Sequence, residues 1–319
     1  MMRALILAVM LIIGFAENPF NEAKENDNYF GVNENIVEEI KTSGLWTPIE
    51  ISENVFKGWT FKQLKDLCGL LPPDKNVSNE LMQNNDENET LLSLQALPTS
   101  FDGRTAWSKC IAPVKVQGKC GSCWAFASGD TLGDTRCIKK KVTSMVQLSQ
   151  QDQVSCDIYD YGCKGGYLYN SFYYLSVKGV VKASCLPYTS GNGVVPACPS
   201  KCASTSESWV KYRCNGGFYY YRNSISGMKN WLTTNGPMTV GMSVYQDLFS
   251  YKSGIYTRVS SSYAGGHAIK LVGYGVSGTT KYWICQNSWG TSWGMKGFFY
   301  IKEGQCGIES EALACLPYN

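Results

Sequence analysis

Gln117-Gly118-Lys119-Cys120-Gly121-Ser122-Cys123-Trp124-Ala125-Phe126 is the stretch on which the reading of this chain turns. Cys120 and Cys123 form a C-x-x-C, which has three readings: a redox dithiol, two metal ligands, or one disulfide cysteine beside one free nucleophile. Residues 123 to 137 read as a helix. Cys123 would open it, where unpaired N–H groups and the helix dipole favour a thiolate, so the third reading fits best. A thiolate poised near neutral pH attacks carbonyl carbon directly. Gly129 and Gly133 lie one turn apart on that helix. Glycine is costly there unless something packs closely, so the helix is expected to be central and buried.

Such a nucleophile needs a base, and His267 is the only histidine in the chain. It lies in Gly265-Gly266-His267-Ala268-Ile269, read as the edge of a strand, and the two glycines let a ligand or backbone approach. Asn287, in Gln286-Asn287-Ser288-Trp289-Gly290, follows a second apolar run and suits the task of fixing the imidazole. An amide orients the ring without neutralising a thiolate–imidazolium pair. Trp289 would shield the pair from water. Gln117, six residues before Cys123, offers a side-chain N–H₂ that with the Cys123 backbone N–H would form an oxyanion hole.

Outward from these motifs the chain divides by charge. Residues 17–96 carry 15 acidic residues against 6 lysines, a net −9, whereas residues 97–319 are net +11. Opposite charges attract, and protonating the acidic part at low pH would loosen the pair. The segment from Asn76 to Leu91 reads as a linker, with two glycosylation sequons at Asn76 and Asn88. Arg3, the apolar run Ala4–Ile13 and small Gly14 and Ala16 read as a cleaved secretory signal over residues 1–16, too short to span a bilayer comfortably. Fourteen cysteines behind such a signal point to disulfides. One histidine disfavours mixed Cys/His zinc sites, while a four-cysteine site stays open. After the helix the chain reads as loop-rich to about 214. From 238 it becomes strand-like, at Met238–Val244, His267–Tyr274, Lys281–Gln286 and Gly297–Lys302. A helical half followed by a β half suggests an α+β fold of two lobes with a cleft between them.

These motifs together resemble the papain-like cysteine peptidases, and within them the cathepsin B-like group. The C-G-S-C-W signature at Cys120–Trp124 has His267 and Asn287 well downstream, 144 and 164 residues after Cys123, as in that family. Leu97-Pro98-Thr99-Ser100-Phe101-Asp102 resembles a mature N-terminus. Gly162-Cys163-Lys164-Gly165-Gly166-Tyr167 resembles the substrate-binding glycine segment, with Lys164 in place of the usual Asn. Cys306-Gly307-Ile308-Glu309-Ser310-Glu311 resembles the floor of a specificity pocket, and Leu64-Lys65-Asp66-Leu67-Cys68-Gly69 the block that covers the site in a zymogen. The resemblance implies a propeptide over 17–96 and a peptidase domain over 97–319. It implies Cys123, His267, Asn287 and Gln117 as catalytic residues, and Gly165, Gly166, Tyr167, Ala268, Trp289 and Glu311 as substrate-binding ones. Glu311 would admit Arg as well as large apolar side chains. Implied disulfides are Cys110–Cys137, Cys120–Cys163, Cys156–Cys198 and Cys185–Cys202, which leaves Cys123 free. Cys214, Cys285, Cys306 and Cys315 stay unassigned, with Cys214–Cys315 as a candidate, and Cys68 leaves with the propeptide.

The departure lies between Cys185 and Cys202. Cathepsin B closes the primed end of its cleft with a long loop carrying two histidines that hold a substrate's terminal carboxylate. Here sixteen residues separate the cysteines and none is histidine. The expectation is therefore an open cleft and endopeptidase action; the alternative is a carboxylate receptor supplied by Lys182, Lys201 or an Arg elsewhere. Expected partners are peptide and protein substrates and the chain's own propeptide as inhibitor. No nucleic acid, membrane span, metal or organic cofactor is expected, and the enzyme is expected to be a monomer in the secretory pathway, a lysosome or acidic vacuole, or outside the cell. The competing classes are a catalytically silent binding or storage protein, a cysteine-rich adhesion module and an acyl transferase.

Overall fold

The computed structural model describes residues 27–73, 82–83, 97–142 and 145–318. The expected signal, both sequons and most of the expected linker lie outside the described residues. No helix among those described is long and apolar enough to cross a membrane.

One lobe is built on the helix Cys123–Lys140. It is buried along most of its length, and Lys141 ends it in a left-handed conformation with its N–H on the Ile138 carbonyl. Lys139 and Lys140 in the last turn complement the dipole. A side chain at Gly129 would approach Gln153 Oε1 at 3.2 Å, and one at Gly133 the Val146 carbonyl at 3.3 Å. The two glycines thus let the segment 145–156 close against the helix. The helix runs three residues further than its sequence pattern indicated. Two more helices, Gln150–Cys156 and Leu168–Val177, occupy the stretch read as loops. Ser149 caps the first, its hydroxyl accepting from Asp152 N–H. The second, LYNSFYYLSV, is rich in aromatic residues that favour strands, yet buried Leu168, Phe172 and Leu175 share one face and packing overrides the propensity.

The other lobe is a mostly antiparallel sheet. Its strands are β1 (Phe218–Tyr221), β2 (Met238–Tyr245), β3 (Ile255–Tyr256), β4 (Tyr263–Ser277), β5 (Thr280–Gln286), β6 (Phe298–Lys302) and β7 (Ala312–Ala314). They run in the order β1-β7-β2-β4-β5-β6-β3, with Met82–Gln83 paired in parallel outside β1. Central β4 is paired on both sides, and its run Ala268–Tyr274 is buried throughout. His267 lies opposite Met242 of β2. It is therefore the fifth residue of a long strand rather than at a strand edge, because pairing with β2 extends β4 back to Tyr263.

The N-terminal segment packs on this second lobe. Asn33 caps the helix Glu34–Ser43, Gly44 ends it in the left-handed region, and Ile36, Val37 and Ile40 form its buried stripe. Trp46 and Phe56 join that stripe and the sheet in one apolar cluster. The lobes are tied by Lys270 of β4, whose Nζ lies 2.5 Å from Asp134 Oδ2 of the long helix, both side chains all but fully buried. Burial raises the Asp134 carboxyl to about 6 against the pull of Lys270. Lys270→Met would leave that carboxylate buried and unpaired, a cost of about 3–5 kcal/mol. Denaturant unfolding should show this loss, and Lys270→Met with Asp134→Leu should restore most of it.

Candidate active site

Cys123 begins the long helix and is fully buried. Backbone N–H groups of Ala268, Gly69, Trp124 and Cys123 itself face its thiol, but burial outweighs them and pushes the thiol up to about 11. Ala268, whose N–H faces that thiol, follows His267, so β4 brings His267 to the helix start. His267 Nε2 lies 2.8 Å from Asn287 Oδ1, which also accepts from Ser288 N–H at 2.8 Å. Two donors converging on one atom identify it as the amide oxygen, so Nε2 carries the ring proton. Nδ1 is left with its lone pair, buried and without a hydrogen-bond partner. Burial lowers the imidazole to about 4, with Asn287 pulling the other way. Trp289 lies against the imidazole at 4.8 Å between ring centres and is stacked on Phe249 at 4.9 Å, with Phe56 edge-on at 5.5 Å.

Gln117 joins the lobes. Its Oε1 accepts from Ser288 Oγ at 2.7 Å, and its N–H donates to the Ser288 carbonyl at 2.9 Å. Its Nε2 donates to the Cys120 carbonyl at 2.8 Å and to Leu67 O of the N-terminal segment at 2.9 Å. That segment then runs through the cleft. Leu70 N–H donates to the Gly266 carbonyl at 3.0 Å, Leu71 N–H to that of Gly166 at 2.9 Å, and Gly166 N–H to that of Gly69 at 2.9 Å. Gly69 lies so close to Gly121 that an added Cβ would come within 1.9 Å of its carbonyl oxygen. A cavity of about 940 Å³ opens beside it, lined by Leu70, Gly241, Met242, Gly266, Cys306 and Glu311. A Cβ placed on Gly241 would stand 2.7 Å from Leu70 Cδ2 and 3.3 Å from Glu311 Oε2, so Leu70 occupies the pocket of that carboxyl. Glu311 is buried, not a solvated surface charge, and burial raises it to about 7 against the pull of Arg222.

The cysteines pair as Cys110–Cys137, Cys120–Cys163, Cys156–Cys198, Cys185–Cys202 and Cys214–Cys315. Cys68, Cys123, Cys285 and Cys306 are free. Ala268 sits beside the Cys123 sulfur and shares an apolar cluster with Leu70. Tyr167 stands at the end of the glycine segment, its N–H on Asp160 Oδ1 at 2.8 Å.

Sequence reasoning missed a pair of carboxyls behind that segment. Asp157 and Asp160 are both buried, lie within hydrogen-bonding reach of each other, and neither Oδ2 has a donor. A Cβ on Gly166 would stand 2.8 Å from Asp160 Cγ, so the pair backs directly onto the cleft wall. Nothing in the spacing Asp157-x-x-Asp160 announces this. Burial raises both carboxyls well above the carboxylate range, helped at Asp157 by the neighbouring charge. A carboxyl raised on folding binds its proton more tightly in the folded state. Its stabilising contribution is therefore full below the ordinary carboxylate pKa and fades as pH rises through the folded value. Unfolding followed from pH 5 to pH 9 should show stability falling, and Asp157→Asn should flatten that fall.

Residues 97–316 match the papain family cysteine protease family. A gut-specific cysteine proteinase of Caenorhabditis elegans is 38% identical over 243 residues, covering 69% of this chain and 74% of that one. Cathepsin B-like CP2 of Giardia intestinalis is 40% identical over 222 residues, covering 68% of this chain and 74% of that one. Among solved structures, procathepsin B S9 from Trypanosoma congolense superposes with a TM-score of 0.82 at 30% identity, covering 91% of this chain and all of that one. With the helix-borne cysteine, the histidine and the glutamine at one seam, these similarities lead to one conclusion: the chain belongs to the papain family of cysteine proteases and is cathepsin B-like.

Proposed function

We propose that this chain is the zymogen of a cysteine endopeptidase, with Cys123 as nucleophile, His267 as base, Asn287 as its orienting group and Gln117 as oxyanion donor. The observation that carries the reading is the extended stretch Gly69–Leu71 hydrogen-bonded between Gly166 and Gly266 directly over Cys123. A cleft that grips backbone on both sides suits an unfolded peptide. In the active form the Cys123 proton passes to the free lone pair of His267 Nδ1, and sulfur attacks the scissile carbonyl carbon. The oxyanion is received by Gln117 Nε2, in the place of the Leu67 carbonyl, and by Cys123 N–H. Collapse expels the amine, which takes the imidazolium proton. Water, deprotonated by His267, then releases the acid from the acyl-enzyme.

Residues 27–73 are read as the inhibitory part of a propeptide. While the segment covers the site, a thiol raised to about 11 and an imidazole lowered to about 4 are both neutral across the intervening range, so no thiolate–imidazolium pair forms. The segment is also threaded against the substrate direction. Leu70, in the Glu311 pocket, comes after Leu67, at Gln117, whereas a substrate side chain in a pocket before the scissile bond comes first. Processing near Leu97 and passage through the secretory pathway complete the proposal.

Endopeptidase action is favoured by the short Cys185–Cys202 segment, which turns inward onto the active-site loop: Lys119 N–H donates to the Gly191 carbonyl at 2.7 Å. Lys182 is paired with Glu207 at 3.8 Å. The test is product analysis on a long peptide with an internal Arg and a free C-terminus, with Cys123→Ala as control. Internal cuts one residue past Arg are expected, with Glu311 receiving that Arg. Stepwise loss of C-terminal dipeptides would overturn the endopeptidase reading. A propeptide carrying Gly69→Ala should inhibit the mature enzyme roughly ten- to a hundredfold more weakly, since overpacking costs about 1–3 kcal/mol.

A further inference from the structure

Both donors of the proposed oxyanion hole sit on the loop Gln117–Cys123, and donors of this kind act only when held in place before charge develops. Gln117 is fixed on one side by Ser288 of the opposite lobe. On the other side it is fixed by Tyr188, whose hydroxyl donates to the Gln117 carbonyl at 2.8 Å. The same hydroxyl lies 2.9 Å from Ser122 Oγ. A tyrosine has one hydroxyl hydrogen and a carbonyl can only accept, so that hydrogen goes to Gln117 and Ser122 must donate to Tyr188. Ser122 precedes Cys123, whose N–H is the second donor. One phenol thus bridges the residue carrying the side-chain donor and the residue next to the backbone donor.

The tyrosine is itself held from both directions. The carbonyl of Leu186, two residues before it, accepts from Ser149 Oγ at 2.6 Å. Thr189 and Ser190, directly after it, donate their N–H groups to Gln151 Oε1 at 2.7 and 3.0 Å. Its ring meets Phe126 of the long helix edge-on at 4.8 Å, and the Cys185–Cys202 disulfide closes the segment. Burial, against the pull of Ser122 and with a smaller push from the Cys123 charge, raises the phenol to about 12.

We propose that Tyr188 is a positioning residue for catalysis, a brace that sets the distance between the Gln117 side chain and the Cys123 backbone N–H. This rests on the peptidase reading above. The short segment between Cys185 and Cys202, besides leaving the cleft open, would then supply part of the catalytic framework. Tyr188 touches no reacting atom, so its loss should affect one step and spare the others.

The test is Tyr188→Phe in the processed enzyme, which keeps the ring against Phe126 and removes only the hydroxyl. Three readouts are compared with wild type: kcat and KM on a peptide amide, affinity for a peptide aldehyde, and the rate of Cys123 alkylation by iodoacetamide. The aldehyde forms a tetrahedral adduct whose oxygen needs the hole; alkylation displaces iodide at a saturated carbon and needs none. The expected result is kcat about tenfold lower with KM within about twofold, aldehyde affinity down by a similar factor and alkylation unchanged. Deleting a donor outright costs more, roughly a hundred- to a thousandfold. Wild-type kcat and aldehyde affinity, or a parallel fall in alkylation, would overturn the brace. If Tyr188→Phe does not fold, Ser122→Ala cuts the other half of the bridge and should give the same split more weakly; unchanged kcat there also overturns it. Wild-type activity that survives alkylation of Cys123 would instead overturn the peptidase reading, so the two failures are distinct.

Discussion

The site exists only where two separately built cores meet. Cys123 belongs to a helix packed inside one lobe, and His267 to a strand at the centre of the sheet in the other. Neither lobe alone brings the strand of His267 to the helix start that carries Cys123. The seam is therefore the governing constraint, and polar groups too deeply buried to be left unpaired maintain it: Lys270 with Asp134, and Gln117 with Ser288. Such contacts fix register more than they add stability, because an ion pair taken out of water regains little beyond its desolvation cost. Apolar packing holds each lobe together, and directional bonds set how the lobes face each other.

The same seam accounts for the electrostatics. Burial raises the Cys123 thiol and lowers the His267 imidazole, which on the proposed roles makes a poor nucleophile and an idle base. Burial here comes from the N-terminal segment, whose Gly69 lies on Gly121 with no space for a side chain. The glycines of the cleft face a glycine of the covering chain, so backbone meets backbone. On the proposed reading, inhibition and latent reactivity are two states of one geometry, differing in whether the covering strand is present.

Much of this was legible in the sequence, and what was legible was local. A lone histidine leaves no rival, Cys123 stands at a helix start, and Asn287 and Gln117 lie in short motifs; the thiolate expected at that helix start is not what the covered site holds, because burial raises the thiol to about 11. What escaped was set by contacts between distant segments. The helix Leu168–Val177 is hidden behind aromatic residues that favour strands, and the one at Gln150 has only Ser149 as a local signal. The sequence pattern starts a strand at His267, whereas pairing with β2 carries the two glycines before it inside the strand. Asp157, Asp160 and Tyr188 carry no motif, since each acquires its character from a partner that only folding supplies.

The N-terminal segment is not laid on a finished surface. Val32, Ile36, Ile40, Trp46 and Phe56 share one apolar cluster with Phe249, Trp289 and the sheet. Removing that segment subtracts from the interior as well as uncovering a cleft. On the proposed reading, a processed molecule that unfolds has lost part of the framework on which it first folded. Its persistence is then kinetic rather than an equilibrium property: the mature enzyme has a lifetime, and the fold that made it is not restored by returning to native conditions.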